Sequence, residues 1–415
     1  MSDATPLHAF EGCGLELEYM IVDRETLDIR PIADELLRAP DGSWATDRER
    51  GAFGWSNELA THLIEVKSND PRQPLATLPG GFAAELAEIN RDLASMNARL
   101  MPGAIHPWMD PATETRLWPH EYAEIYALYD RIFGCRRHGW ANLQSMHVNL
   151  PFSGDEEFAR LHAVIRLLLP ILPSLAASSP IAEGQPTGWL DYRMACYRTN
   201  SERIPSMTGL VIPEPVASEA EYRSRILAPM YEAIAPHDPQ GVLQDEWLNA
   251  RGAIARFDRS AIEIRVIDTQ ECPRADVAIA AATVAVLRRW YDGDVGQREL
   301  EEPMDTRRLA SLLETCSRGA GAATISDADY LQRLGCPSGH CTASELWRYL
   351  LGETLLGQPG GGDSEWREPL ELILSQGTLA RRIMTAVGED YGRDSLRRVY
   401  RQLTRCLQRG ELFRP

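Results

Sequence analysis

Hydrophobic residues recur every three or four positions at Phe82, Leu86, Ile89, Leu93, Met96 and Leu100, which predicts one long amphipathic helix. The same period predicts helices over 121–133, 155–172, 217–234 and 274–292. From about residue 304 the pattern is mostly helical and rich in arginine, ending in a long amphipathic stretch over 378–408. Four segments instead predict strands: Gly14–Val22, Leu59–Ser68, Ser145–Leu150 and Ala261–Ile267. Loop-like stretches fall at Pro102–Pro119, Pro205–Pro215 and Leu356–Asp363. Strands and helices alternate without a regular β–α–β beat, so the expected class is α+β with a largely antiparallel sheet.

Each predicted strand carries ionisable residues among apolar ones. Successive side chains point to opposite faces, so Glu16 and Glu18 share one face of the first strand while Leu15, Leu17 and Tyr19 take the other. A solvated edge explains that pattern equally well. Glu65 and Lys67 share a face of the second strand, with a surface ion pair as the plain reading. His147 and Asn149 share a face of the third, where a hydrogen-bonded core histidine is the plain reading. Glu263 and Arg265 project together from the fourth, as in a structural ion pair. The coincidence of four such faces says more than any one of them. If they line one interior, with Glu58 beside them, five carboxylates, a histidine and an arginine meet there. Such crowding of anions requires cations. Mg²⁺ is a hard ion that takes carboxylate oxygens and bridges phosphates, which suits phosphoryl transfer.

Composition narrows the partners. The 415 residues are 44% hydrophobic, enough for a substantial core. A net charge of -17 argues against nucleic acid and anionic membranes, but not against a nucleotide carried with Mg²⁺. Of the 43 basic residues only Lys67 is a lysine, so the phosphate-binding P-loop motif is absent and phosphate must be held by arginine, backbone N–H groups or metal. The eight cysteines show no framework, and reduced cytoplasmic thiols are expected. Cys336-Pro-Ser-Gly-His340-Cys341 brings soft ligands close together without completing a four-ligand zinc set. The start MSDATPLHAFEG does not have the form of a signal peptide.

Gly14-Leu-Glu-Leu-Glu, the Glu58 and Glu65 pair, Met146-His-Val-Asn149, and Ile262-Glu-Ile-Arg265 followed by Asp268 together resemble the glutamate–cysteine ligase family, and its second bacterial branch of carboxylate–amine ligases most closely. Asp191-Tyr-Arg-Met-Ala-Cys-Tyr-Arg-Thr-Asn200 is similar to that family's arginine segment. The resemblance runs over roughly 12–292. It implies a glutamine-synthetase-like fold with an antiparallel sheet curved into a funnel and a catalytic unit over 1–300; the helical region over 301–415, which carries no matching motif, is expected to pack on it. It implies ATP and Mg²⁺ (or Mn²⁺) as cofactors and phosphorylation of a carboxylate, usually the γ-carboxylate of glutamate. An amine such as cysteine then attacks the acyl phosphate. By the same resemblance, Glu16, Glu58, Glu65 and Glu263 bind metal, and Glu18 and His147 hold a neighbouring ion. Arg265 contacts the transferred phosphoryl group, Arg193 is a second phosphate or substrate contact, and Asn149 supports His147 or touches nucleotide. His62 departs from the family's small or amide side chain. A guanidino kinase on the same fold and a non-catalytic binding protein stand as alternatives, and homo-oligomerisation is left open.

Overall fold

The computed structural model describes residues 7–356 and 364–415. Most of the loop expected at Leu356–Asp363 therefore lies outside the described residues. In chain order the strands are β1 (Gly14–Asp23), β2 (Asp47–Arg50), β3 (Phe53–Asn57), β4 (Leu63–Ser68), β5 (Ala98–Met101), β6 (Ser145–Pro151), β7 (Ile181–Ala182), β8 (Gln185–Pro186), β9 (Ala253–Arg256), β10 (Ala261–Asp268), β11 (Thr324–Ile325) and β12 (Cys341–Thr342). Eight of them form one antiparallel sheet in the order β2-β3-β4-β1-β6-β10-β9, with β5 paired to the far end of β1. Helices flank this sheet, and the α+β expectation describes the chain.

The back of the sheet is apolar because the strands alternate. Leu15, Leu17, Tyr19 and Ile21 of β1 join Val148 and Leu150 of β6 and Ile262 and Ile264 of β10 in the main core. Helices Leu78–Ala94, Gly154–Leu168 and Pro273–Asp292 contribute their apolar stripes to the same core. The front face of β1 changes character along its length. Glu16 and Glu18 come first. Met20 and Val22 follow, buried in a second cluster with Leu63, Met101 and the apolar faces of the C-terminal helices Leu379–Val387 and Arg393–Arg409. The arginine-rich tail thus covers one end of the face that carries the carboxylates.

Several elements differ from the periodicity. The helix of Phe82 ends at Ala94, because Asn97 takes a left-handed conformation (φ 53°) and turns the chain into β5. Met96 and Leu100 therefore lie beyond the helix. The 378–408 stretch is two helices, parted at Gly388 (φ 67°). The 217–234 helix contains a π-helical turn at Arg223–Leu227. β4 starts at Leu63, four residues later than expected, since Leu59–His62 form a turn whose Ala60 bridges Leu117. Glu58 consequently follows β3 and is not on β4.

Candidate active site

Register decides whether the four acidic faces meet. Glu18 stands opposite Glu65 and Glu16 opposite Lys67 across β1 and β4. Glu16 stands opposite His147 on β6, and Asn149 opposite Glu263 on β10. All belong to one face of neighbouring strands. All but Asn149 converge with Glu58 and Arg265 on a cavity of about 490 Å³. A register shift in β10 between Ile264 and Ile267 gives that strand one extra residue against β6. Arg265 lies in this bulge; its N–H bonds Gly252 while its side chain lines the cavity.

His147 sits at the centre, 6% exposed. Nδ1 lies 2.9 Å from Glu16 and 3.5 Å from Glu263, and Nε2 lies 3.6 Å from Glu18. Burial works against its charge, but the bond to Glu16 and the Glu18 and Glu263 carboxylates prevail and raise its pKa to about 9. Protonated, it donates through Nδ1 to Glu16 and through Nε2 to the Ser145 hydroxyl at 3.0 Å, which can donate onward to Glu18 at 3.2 Å. The Ser145 N–H also donates to Glu18 at 2.7 Å. Burial opposes ionisation of Glu16, yet the His147 contact overcomes it and lowers that carboxyl to about 2.

The opposite wall crowds two buried carboxyl groups, which resist ionisation. Burial, then repulsion from Glu16, pushes Glu65 up to about 8, although Ser56 Oγ donates to it at 2.6 Å. Burial, then Glu18 and Glu65, pushes Glu58 well above the carboxylate range. Arg265 Nε lies 2.9 Å from one Glu263 oxygen in an ion pair, and Arg256 lies 3.9 Å from the other. Two groups have ligand atoms within 4.8 Å of one another: Glu16, His147 and Glu263, and Glu18, Glu65 and His147. Oxygen-rich sets with unsatisfied negative charge fit hard divalent cations.

The sequence profile of glutamate-cysteine ligase family 2 matches residues 13–402. The chain belongs to this family. It is accordingly a carbon–nitrogen ligase of the glutamate–cysteine ligase type. An uncharacterized protein of Archaeoglobus fulgidus is 33% identical over 96% of this chain and 99% of its own length. A "Putative glutamate--cysteine ligase 2" of a Bradyrhizobium strain is 29% identical over 67% of this chain and 62% of its own length. Among solved structures, a Francisella tularensis glutamate–cysteine ligase in complex with AMP superposes with a TM-score of 0.56, covering 94% of this chain and 88% of that one. At 12% identity that likeness is one of fold.

Two residues singled out from the ligase motifs are placed apart from the central cluster. Asn149 donates to Glu16 at 3.1 Å and lines an adjoining cavity with Gly14, Ser68 and Arg259. Arg193, expected as a phosphate or substrate contact, is 1% exposed and does not line the cavity. Its Nε donates to buried Asp268 at 2.5 Å and its Nη2 to the Arg265 carbonyl at 3.1 Å. It braces the bulge that presents Arg265, because a buried guanidinium must spend its donors on protein acceptors. His62 is buried and neutral, with Nε2 2.7 Å from the Ala141 carbonyl and burial lowering its pKa to about 4.

Other lining residues carried no strand-alternation signal. Tyr122, Ile125, Tyr126 and Tyr129 come from the helix Ala123–Phe133 and the residue before it, and Trp247 joins them as an aromatic wall. Arg256 arrives on β9, whose hairpin partner is β10. The turn residues Asp258-Arg259-Ser260 were the available signal for that hairpin.

Proposed function

We propose that this ligase uses ATP to phosphorylate a substrate carboxylate, with the γ-carboxylate of glutamate as the favoured acid, and joins it to an amine such as cysteine. One observation carries the reading: Glu16, Glu18, Glu58, Glu65, His147, Glu263 and Arg265, from four strands and the segment after β3, line one cavity. The AMP complex of the Francisella ligase supports a nucleotide as a substrate of this fold. A carboxylate oxygen is a poor leaving group and phosphate a good one. Attack of the carboxylate on the γ-phosphorus releases ADP. The amine nitrogen then adds to the acyl carbon, phosphate leaves with the C–O bond electrons, and the amine loses a proton.

Glu16, Glu18, Glu58, Glu65, Glu263 and His147 are the residues that would hold metal. Mg²⁺, or Mn²⁺ in its place, supplies neutralisation of phosphate and carboxylate oxygens. A neutral imidazole has one lone pair, so His147 can serve only one of the two groups it adjoins. With Nε2 as its ligand atom it would join the Glu18 and Glu65 set, as the family motif implies, and leave the Glu16 and Glu263 set to carboxylates. In the protein without metal, the His147 imidazolium supplies the missing positive charge. Arg265, held by Glu263 and braced from behind by Arg193, brings a fixed cation to the cavity wall for the phosphoryl group.

The test is a mass-spectrometric screen of purified protein with ATP, Mg²⁺, glutamate and a panel of amines. An amide with stoichiometric ADP and free phosphate is expected. A phosphorylated guanidine without free phosphate, or no ADP with any amine, overturns the proposal.

A further inference from the structure

The last helix, Arg393–Arg409, carries arginine at 393, 397, 401, 405 and 409, one per turn along a single face. The opposite face, with Leu396, Val399, Tyr400, Leu403 and Leu407, is buried in the core. Three of the ladder arginines have carboxylate partners: Arg393 with Asp28, Arg397 with Asp394, and Arg409 with Glu411. Among the described residues, Arg401 and Arg405 have none, nor does neighbouring Arg398. Arg401 donates only to the Glu25 carbonyl, and Arg398 only to the Ser395 hydroxyl.

Two further arginines come from elsewhere in the fold. Arg24 follows β1, and Arg99 lies on β5 on the face that Met101 turns toward this helix. Neither has a carboxylate partner within salt-bridge distance among the described residues. The Arg99 Nε is buried without any hydrogen-bond partner. Partial burial, then Arg24, and further Arg401 and Arg405, hold its guanidinium below the ordinary value, with only Glu25 opposing them. Guanidiniums do not gather in this way without a counter-charge at hand. A cleft of about 410 Å³ runs along the helix, lined by Asp394, Arg397, Arg398, Arg401, Gln402 and Arg405; Arg24 and Arg99 do not line it but adjoin it through Arg401 and Arg405.

We propose that the arginine cluster formed by Arg24, Arg99, Arg398, Arg401 and Arg405 is a binding site for a small anion bearing two or more phosphate groups. Guanidinium forks match phosphate oxygens in pairs, and the cleft is of small-molecule size. The size of the anion follows from charge. The helix face is only about 24 Å long, and the protein around it carries a net -17. A long polyanion or an anionic membrane would run off the stripe onto repelling surface, whereas a short one would not. The site is separate from the ligase cavity but shares its strand: the front face of β1 passes from Glu16 and Glu18, through buried Met20 and Val22, to the arginine cluster.

The experiment is thermal melting and titration calorimetry with inorganic tripolyphosphate, in excess EDTA. The metal-free ligase cavity keeps Lys67, Arg256, Arg259 and Arg265, so binding there is told apart by the Arg401→Gln/Arg405→Gln variant, which leaves that cavity intact. Wild-type protein is expected to melt several degrees higher with tripolyphosphate, and not with sodium chloride at matched ionic strength. Arg401→Gln/Arg405→Gln, on the exposed side of the cluster, is expected to melt no lower than wild type without anion and to bind the probe at least about tenfold more weakly. Arg99→Gln should do the same if it folds. A tripolyphosphate shift that survives in Arg401→Gln/Arg405→Gln, or that chloride reproduces, overturns the proposal. So does cluster-dependent binding to RNA or anionic vesicles with none to tripolyphosphate.

Discussion

Glu65→Gln should make the metal-free protein more stable while costing it its divalent ion. Burial and the Glu16 carboxylate raise Glu65 from an ordinary 4.5 to about 8. Near pH 7.5 the unfolded chain has lost this proton and the folded chain largely keeps it. A raised carboxyl pKa means the folded state binds the proton more tightly, so its contribution to stability declines as pH rises from the unfolded value toward about 8. Three pH units at about 1.4 kcal/mol each give about 4 kcal/mol of penalty, and solvent in the cavity trims this to about 2–4 kcal/mol. Glutamine is isosteric and still accepts the Ser56 hydroxyl. The melting entropy of 415 residues is about 0.9 kcal/mol per kelvin, so Tm should rise by about 2–5 °C. The assay is differential scanning calorimetry at about pH 7.5, in EDTA and in saturating Mg²⁺. Wild type should gain stability from Mg²⁺ and the variant should gain much less. A variant that melts lower in EDTA yet keeps the full Mg²⁺ gain would refute the charge-crowding account and remove Glu65 from the metal set.

Four further outcomes follow from the same geometry. Arg265→Ala or Glu263→Gln should lower kcat for amide formation by about 10³ or more while leaving the circular-dichroism spectrum intact, and near-normal turnover would sink the site assignment. Mg²⁺ should bind more tightly as pH rises from 6 toward 8.5, because Glu65 must lose its proton to coordinate; calorimetry showing pH-independent affinity would contradict this. Arg193→Ala should destabilise the fold by about 3–5 kcal/mol, leaving Asp268 buried without its partner, whereas the double change with Asp268→Asn should recover part of the loss in urea unfolding. His62, His106 and His162 are buried with pKa lowered by burial to about 4, 3 and 3, so the unfolded chain binds protons that the folded chain refuses. Stability should therefore fall as pH drops below about 6.5. His162→Phe should flatten the Tm–pH curve between pH 4.5 and 6.5, and an unchanged slope would exclude that histidine as a contributor.

Much of the site was legible in the strands because alternation is a local rule. Glu16 and Glu18 share a face whatever the rest of the chain does, and so do His147 and Asn149. The apolar residues between them announce the core side. The placing of Glu58 was less visible, since its approach to the cavity depends on where β3 ends and on a turn at Leu59–His62 that holds no strand. The aromatic wall was hidden for a similar reason. A helical stripe containing Ile125, Tyr126 and Tyr129 reads as core from sequence, and nothing local tells which side of it faces a cavity.

The sequence by itself determined which residues share a strand face, the α+β class, the net acidity and the scarcity of lysine, and through its motifs the family. Tertiary structure decided that the faces converge. Pairing of β1 with both β4 and β6, and of β6 with β10, brings residues far apart in sequence into neighbouring register. It also decided the fate of the arginines. Arg265 lines the cavity beside Glu263, as alternation along its strand places it, whereas Arg193 is spent on a buried aspartate from an element whose sequence carries no such rule.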